Sequence, residues 1–169
     1  MRATGNTILV GGGTSGIGLA LARRWHDAGN TVVVAGRRAE LLAQIAADHP
    51  GIATLELDVT DPASIAAAAR TAAERFPELD VLVTMAGIMR AEDLRDPASL
   101  ADAEATITTN LLGTIRTVSA FLPQLLGREH ATVMTVSSGL AFVPLPATPT
   151  YNATKAGVHS YTELSLIHI

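Results

Sequence analysis

"TILVGGGTSGIGLALA", residues 7 to 22, carries three structural instructions in succession. "TILVG" is apolar and β-branched, as a buried strand requires. Glycine then dominates, and only a turn or loop tolerates that. "IGLALARRWHDAG" follows with apolar residues at helical spacing and reads as a helix that ends at Gly29. The run after Arg2 also imitates the apolar core of a secretory leader, but its glycines and the "RRW" behind them suit a strand, a loop and a helix better.

The same alternation repeats along the chain. Strand-like runs stand at 31 to 35 ("TVVVA"), 54 to 57 ("TLEL"), 80 to 84 ("DVLVT") and 131 to 137 ("ATVMTVS"). Helical patterns separate them, including one long helix through about 98 to 126, and Asp61 before Pro62 signals the start of the third. Strands this apolar are buried on both faces, so the expected fold is α/β: a doubly wound, Rossmann-type parallel sheet with strands 1 to 5 present. Residues 1 to 163 form one domain in this reading. Ligands of such sheets bind beyond the carboxyl ends of the strands, next to the switch in strand order. The functional loops are then "GGGTSGIG", "TMAGIMR" and "SSGLAFVPLPATPTY".

Composition narrows the partners. Twelve basic residues face sixteen acidic ones, the net charge is -4, and no basic run is present to follow a phosphate backbone. Nucleic acid is not an expected partner. There is no cysteine, and the five histidines lack ligand spacing, so no metal is expected. No other stretch reaches membrane-spanning length, and a cytoplasmic protein is expected.

A glycine loop that opens a helix presents backbone N–H groups and the positive end of the helix dipole, which suits a pyrophosphate. Here the glycines parse as Gly11, Gly13 and Gly16 or as Gly12, Gly16 and Gly18. A site for an unmodified ribose wants an acid after the second strand. This chain has Gly36, Arg37 and Arg38 there, which suit a ribose 2′-phosphate and favour NADP(H) over NAD(H). Solvated surface arginines would look the same.

"YNATK" (151 to 155) contains the only lysine of a chain with eleven arginines. Lysine is a compact ammonium with a tunable pKa, whereas arginine holds its proton. Four residues before it, on the same helix face, lies Tyr151. A phenol ordinarily titrates near ~10, and an adjacent cation favours its phenolate.

With Gly12, Gly16, Gly18, "LDVTD" (57 to 61), Ala86 and Gly87, Asn110, "SS" (137 to 138) and "YNATK" in this order, the chain resembles the short-chain dehydrogenase/reductase family from residue 5 to about 163. The resemblance implies NAD(P)-dependent hydride transfer between an alcohol and a carbonyl. It assigns catalysis to Asn110, Ser138, Tyr151 and Lys155. It assigns the cofactor to Gly12, Thr14, Ser15, Gly16, Ile17, Gly18, Arg37, Arg38, Asp58, Val59, Ala86, Gly87, Tyr151 and Lys155. Taken singly, Tyr151 is equally a packing aromatic, Ser138 a turn residue, Asn110 a helix irregularity and Asp58 a turn cap. A nucleotide-binding module without turnover is the alternative from another class.

Two departures bear on rigidity. Gly11 stands where the family usually has threonine, and Thr84 and Met85 where it usually has two asparagines. The loop "GLAFVPLPATP" is apolar and stiffened by three prolines, and it suits a small-molecule carbonyl or alcohol with an apolar portion. The family pattern continues beyond this point with further strands and a substrate region, and intact members resemble homo-oligomers. Here "LSLIHI" (164 to 169) departs from the preceding style, and the codons CTG TCT CTT ATA CAC ATC for it resemble a transposon mosaic end. That tail is expected to be adapter-derived, with the C-terminal strands missing.

Overall fold

A computed structural model of the 169-residue chain describes residues 1 to 165. Five parallel strands form one sheet: β1 (Thr7–Gly11), β2 (Thr31–Gly36), β3 (Ala53–Glu56), β4 (Val81–Thr84) and β5 (Thr132–Thr135). Their order is β3-β2-β1-β4-β5, so β1 lies at the reversal, with β2 on one side and β4 on the other. This is the doubly wound α/β sheet expected from the sequence.

Period-two alternation explains the layering. Leu9, Val33, Ala35, Leu55 and Leu82 turn to one face and share a core with Ala68 and Ala72 of α3 (Pro62–Arg75) and with Phe121 and Leu125 of α5 (Gly113–Leu126). Ile8, Val10, Val32, Val34, Val81 and Val83 turn to the other face. There they meet Ala22 of α1 (Gly16–Asp27) and Leu42 and Ile45 of α2 (Ala39–Asp48). Each fully buried aliphatic or aromatic side chain stabilises the fold by about 1.5–3 kcal/mol. The central strands are buried on both faces as their composition requires. The edge strands β3 and β5 are covered only in part.

Helix ends follow local chemistry. α1 closes with the N–H of Gly29 on His26 O (2.9 Å) and that of Asn30 on Trp25 O (3.1 Å), with Gly29 at φ 87°. Asp61 accepts the Ala63 N–H at 2.8 Å and Pro62 occupies the first position of α3. The long helix expected over 98 to 126 is broken in register. It comprises α4 (Ser99–Ile107), a π-helical turn at Thr108–Leu112, and α5. A π turn carries one extra residue, and here that turn holds Asn110. The last helix, α6, spans Pro149–Ser165. It includes the first two residues of the tail expected to be foreign, while 166 to 169 lie outside the described residues.

Register brings the functional loops together. Gly11 pairs with Ala35 on one side and Thr84 on the other, so the carboxyl ends of β1, β2 and β4 are level. Pairing runs one step further through Met85 N to Gly11 O (3.0 Å) and Val136 N to Thr84 O (3.1 Å). The three loops named from the sequence therefore emerge at the same end of the sheet.

Candidate active site

At that end lies a cleft of about 440 Å³. The glycine loop forms one wall, Arg37 and Arg38 one end, Asp58 to Thr60 another side, and Met85 to Ile88 the floor. Thr109 and Val136 complete it.

Several positions of the loop require glycine. Gly12 has φ 83°, and a Cβ there would stand 2.6 Å from Ala86 N. A Cβ on Gly18 would stand 2.5 Å from Gly12 O. Contacts this short admit no side chain, so the loop folds tightly against the β4 loop and the start of α1 because these residues are glycine. Gly16 also has positive φ, at 54°. Gly13 of the other parsing is confined as well, a Cβ there standing 2.9 Å from Val10 O, and Gly16 is common to both.

Ser15 precedes α1 but its side chain makes no capping bond, and the first turn has no acidic residue. The N–H groups of that turn remain available to an anion at the positive end of the helix. Thr14, Ser15, Ile17 and Gly18 all line the cleft. Arg38 donates from Nη2 to Thr14 Oγ1 (3.1 Å) and Ser15 Oγ (3.4 Å). The residues present therefore fit a dinucleotide: a tight glycine cradle, an uncapped helix start and two guanidinium groups at one end.

Asp58 serves two ends. Its Oδ1 accepts from the Thr60 N–H (2.9 Å) and the Thr60 hydroxyl (2.7 Å), a local turn that matches the capping reading. It also lines the cleft with Val59, as the cofactor reading requires. Burial pushes its pKa up, but the two Thr60 bonds and the Arg37 charge together outweigh that, and the net shift is downward.

Asn110, Lys155 and Gly87 converge behind the floor. Asn110 is 1% exposed. Its Oδ1 accepts the Ile88 N–H (2.8 Å), and its Nδ2 donates to Ile88 O (2.8 Å) and Thr154 Oγ1 (3.2 Å). The amide thus pins the β4 loop to the π turn and to α6. A Cβ on Gly87 would lie 3.3 Å from Asn110 Oδ1 and 3.7 Å from Lys155 Nζ, so both polar groups approach that glycine closely. Lys155 donates to Val136 O at 2.7 Å, and its Nζ stands 5.8 Å from the Tyr151 ring centroid. Burial lowers its pKa from the usual 10.5.

Ser138 lies three residues past β5 and caps the short 3-10 turn Gly139–Ala141, its Oγ accepting from Leu140 N at 3.2 Å. That bond occupies one lone pair and leaves the hydroxyl proton free to be donated. Its neighbour Ser137 donates to Lys155 O (2.8 Å), which ties the β5 loop to α6. Sequence reading gave Ser137 no role, and the doubled serine was its one signal. Ser138 and Tyr151, like Asn110 and Lys155, are not in the cleft lining, which reaches only Val136 on their side. Beyond it the proline-stiffened loop forms a second hollow of about 340 Å³, lined by Leu140, Pro144, Leu145, Pro149 and Ala153 among others.

The two departures meet in one place. Gly11 and Thr84 border a small void that Thr114 and Thr117 also line. Thr84 Oγ1 is buried there with no hydrogen-bond partner among the described residues. Bracing that larger polar side chains would supply is absent at this point.

Comparison with known proteins agrees with this fold. Residues 6–165 match the family described as short chain dehydrogenase. The chain is similar to an uncharacterized oxidoreductase, DltE, of Bacillus subtilis, 38% identical over 170 residues that cover 99% of this chain and 67% of that protein. It is similar to sulfoacetaldehyde reductase 2 of Chromohalobacter salexigens, 33% identical, covering 92% of this chain and 63% of that one. Among solved structures it superposes on the closed form of serine dehydrogenase complexed with NADP+ with a TM-score of 0.87 and 30% identity, covering 95% of this chain and 64% of the other. The chain thus spans about two thirds of the length of these relatives.

Proposed function

The chain belongs to the short chain dehydrogenase family, and from that premise we propose that it binds NADP(H) in preference to NAD(H) and exchanges hydride between that cofactor and a carbonyl or alcohol. One observation carries the reading: the single lysine of the sequence is buried, with its ammonium beside the Tyr151 ring and next to Gly87 at the cleft floor.

The cofactor, when bound, supplies or accepts the hydride. The rest falls to the chain's own residues. Gly12, Thr14, Ser15, Gly16, Ile17 and Gly18 would hold the pyrophosphate at the start of α1. Arg37 and Arg38 would take the ribose 2′-phosphate, Asp58 and Val59 the adenosine end, and Ala86 and Gly87 would let the backbone approach closely. Tyr151 gives its phenol proton to the developing alkoxide of a carbonyl substrate, or takes it back in the alcohol direction. Lys155 holds its ammonium 5.8 Å from the Tyr151 ring centroid. Ser138 donates a hydrogen bond from its hydroxyl to the same oxygen, and Asn110 keeps the β4 loop and α6 in register. An apolar portion of the substrate suits the proline-stiffened hollow.

The decisive assay follows nicotinamide absorbance with NADPH across a panel of carbonyl compounds, wild type against Tyr151→Phe. Turnover lost by at least about a hundredfold in the variant is expected; equal rates would refute the catalytic assignment. For cofactor choice, Arg37→Ala should weaken NADPH about tenfold and leave NADH unchanged. No NADPH advantage in the wild type would defeat the arginine reading. The second reading, a nucleotide-binding module without turnover, draws on Ser138 and Tyr151 lying outside the cleft lining. It predicts cofactor binding with no Tyr151-dependent rate.

A further inference from the structure

The first turn of α6 carries Tyr151, yet its own sequence puts no acidic residue there. Thr148, just before the helix, turns its hydroxyl to Asn152 Oδ1 (3.2 Å), and Pro149 has no N–H. The first amide of the helix is therefore that of Thr150, and its partner comes from 58 residues upstream. Glu92 Oε1 accepts that N–H at 3.3 Å, and Glu92 Oε2 accepts the Thr150 hydroxyl at 2.6 Å. The Glu92 backbone N–H completes the bridge on Ala147 O at 3.0 Å.

The position of Glu92 matters as much as its bonds. It lies in the loop after β4, four residues past Ile88, whose own N–H and carbonyl are held by Asn110. That loop is thus fixed to the π turn through Ile88 and to the start of α6 through Glu92. A carboxylate at a helix N-terminus meets both free N–H groups and the positive end of the dipole, and the short contact to Thr150 is charge-assisted. Tyr151 is the next residue.

We propose that Glu92 is a positioning residue for the Tyr151 phenol: it clamps the first turn of α6 to the β4 loop and so fixes the tyrosine beside Lys155. The inference rests on the hydride-transfer reading above. A proton donor displaced by about an ångström loses rate without any change in cofactor affinity. A glutamate that served stability alone would leave the rate intact in the folded fraction.

The test uses the full chain, with steady-state kinetics on a carbonyl compound that the wild type turns over and amide hydrogen exchange across α6. In Glu92→Ala, kcat should fall about tenfold while KM for NADPH stays within about twofold. Glu92→Gln keeps an oxygen for the Thr150 N–H and should recover most of the rate. The clamp is overturned if kcat is unchanged, if KM for NADPH rises in step, or if the Gln variant is as impaired as the Ala variant. Tyr151→Phe, assayed alongside, separates the two ideas. Equal turnover by wild type and Tyr151→Phe defeats the hydride reading, and hydrogen exchange then decides the clamp. Exchange of the α6 first-turn amides should be about tenfold faster in Glu92→Ala and restored in Glu92→Gln; unchanged exchange defeats it.

Discussion

Lys155 is 5% exposed and faces a neutral partner, the Val136 carbonyl. Burial therefore lowers its pKa, and the sign of the stability effect follows from linkage. Between the lowered folded value and 10.5, the unfolded chain binds more protons than the folded one, so stability rises with pH through that window. Below the folded value the full penalty of the buried charge is present. Lys155→Met removes it and should stabilise the chain at neutral pH by about 1 kcal/mol, after allowing for the carbonyl left without its donor. The gain should shrink as pH climbs toward 10.5, and Tyr151-dependent turnover should be lost. Denaturant titrations at neutral and alkaline pH check this, and a destabilised variant at neutral pH would overturn it. Lys155 and Tyr151 were legible in the sequence because their relation is local: one helical turn, with lysine used once. Glu92 was not, because nothing in "MRAEDL" (89 to 94) announces a partner 58 residues away. The unpartnered hydroxyl of Thr84 was half legible: the departure from asparagine could be read, but the void that isolates it forms only when β1, β4 and α5 pack together.

Elements follow the same division between local and tertiary causes. The Asp61 cap and the Gly29 stop could be read because each bonds within two to five residues of itself. Asp61→Ala should accordingly cost about 1 kcal/mol, which in a domain of this size lowers Tm by about 2–4 °C. Thermal melts of the two proteins would show it, and an unchanged Tm would mean that Pro62 alone starts α3. The π turn at Thr108–Leu112 is the contrary case. Its sequence, "TTNLL", has ordinary helical spacing, and a single helix over 98 to 126 was the natural expectation. The extra residue coincides with the Asn110 side chain reaching both backbone groups of Ile88, a contact between segments 22 residues apart. Strand ends shifted by a residue or two for a comparable reason. β5 stops at Thr135, short of the expected 137: Val136 keeps its N–H on Thr84 O, but its carbonyl accepts from Lys155 Nζ and the Ser137 hydroxyl donates to Lys155 O.

At the scale of the whole molecule, β-α alternation with strands apolar throughout was enough for a parallel, doubly wound sheet, and right-handed crossovers restrict the strand orders such a chain can adopt. What alternation does not specify is how completely the edges are covered, and β5 shows the difference: Met134 is 36% exposed on a strand that is at the sheet edge among the described residues. Bound as proposed, a dinucleotide would bridge the β1 loop, the arginines after β2 and the floor after β4, elements far apart in sequence, so it would bind the folded state alone. At NADPH one hundred times its Kd, linkage gives about 2.7 kcal/mol of added stability, or a rise in Tm of roughly 5–10 °C. Gly12→Ala should remove that rise, because a Cβ 2.6 Å from Ala86 N forces the cradle open where the pyrophosphate would lie. The pair of melts discriminates cleanly: a wild-type shift that survives in Gly12→Ala would locate the nucleotide elsewhere, and no wild-type shift at saturating NADPH or NADH would deny this cleft its cofactor.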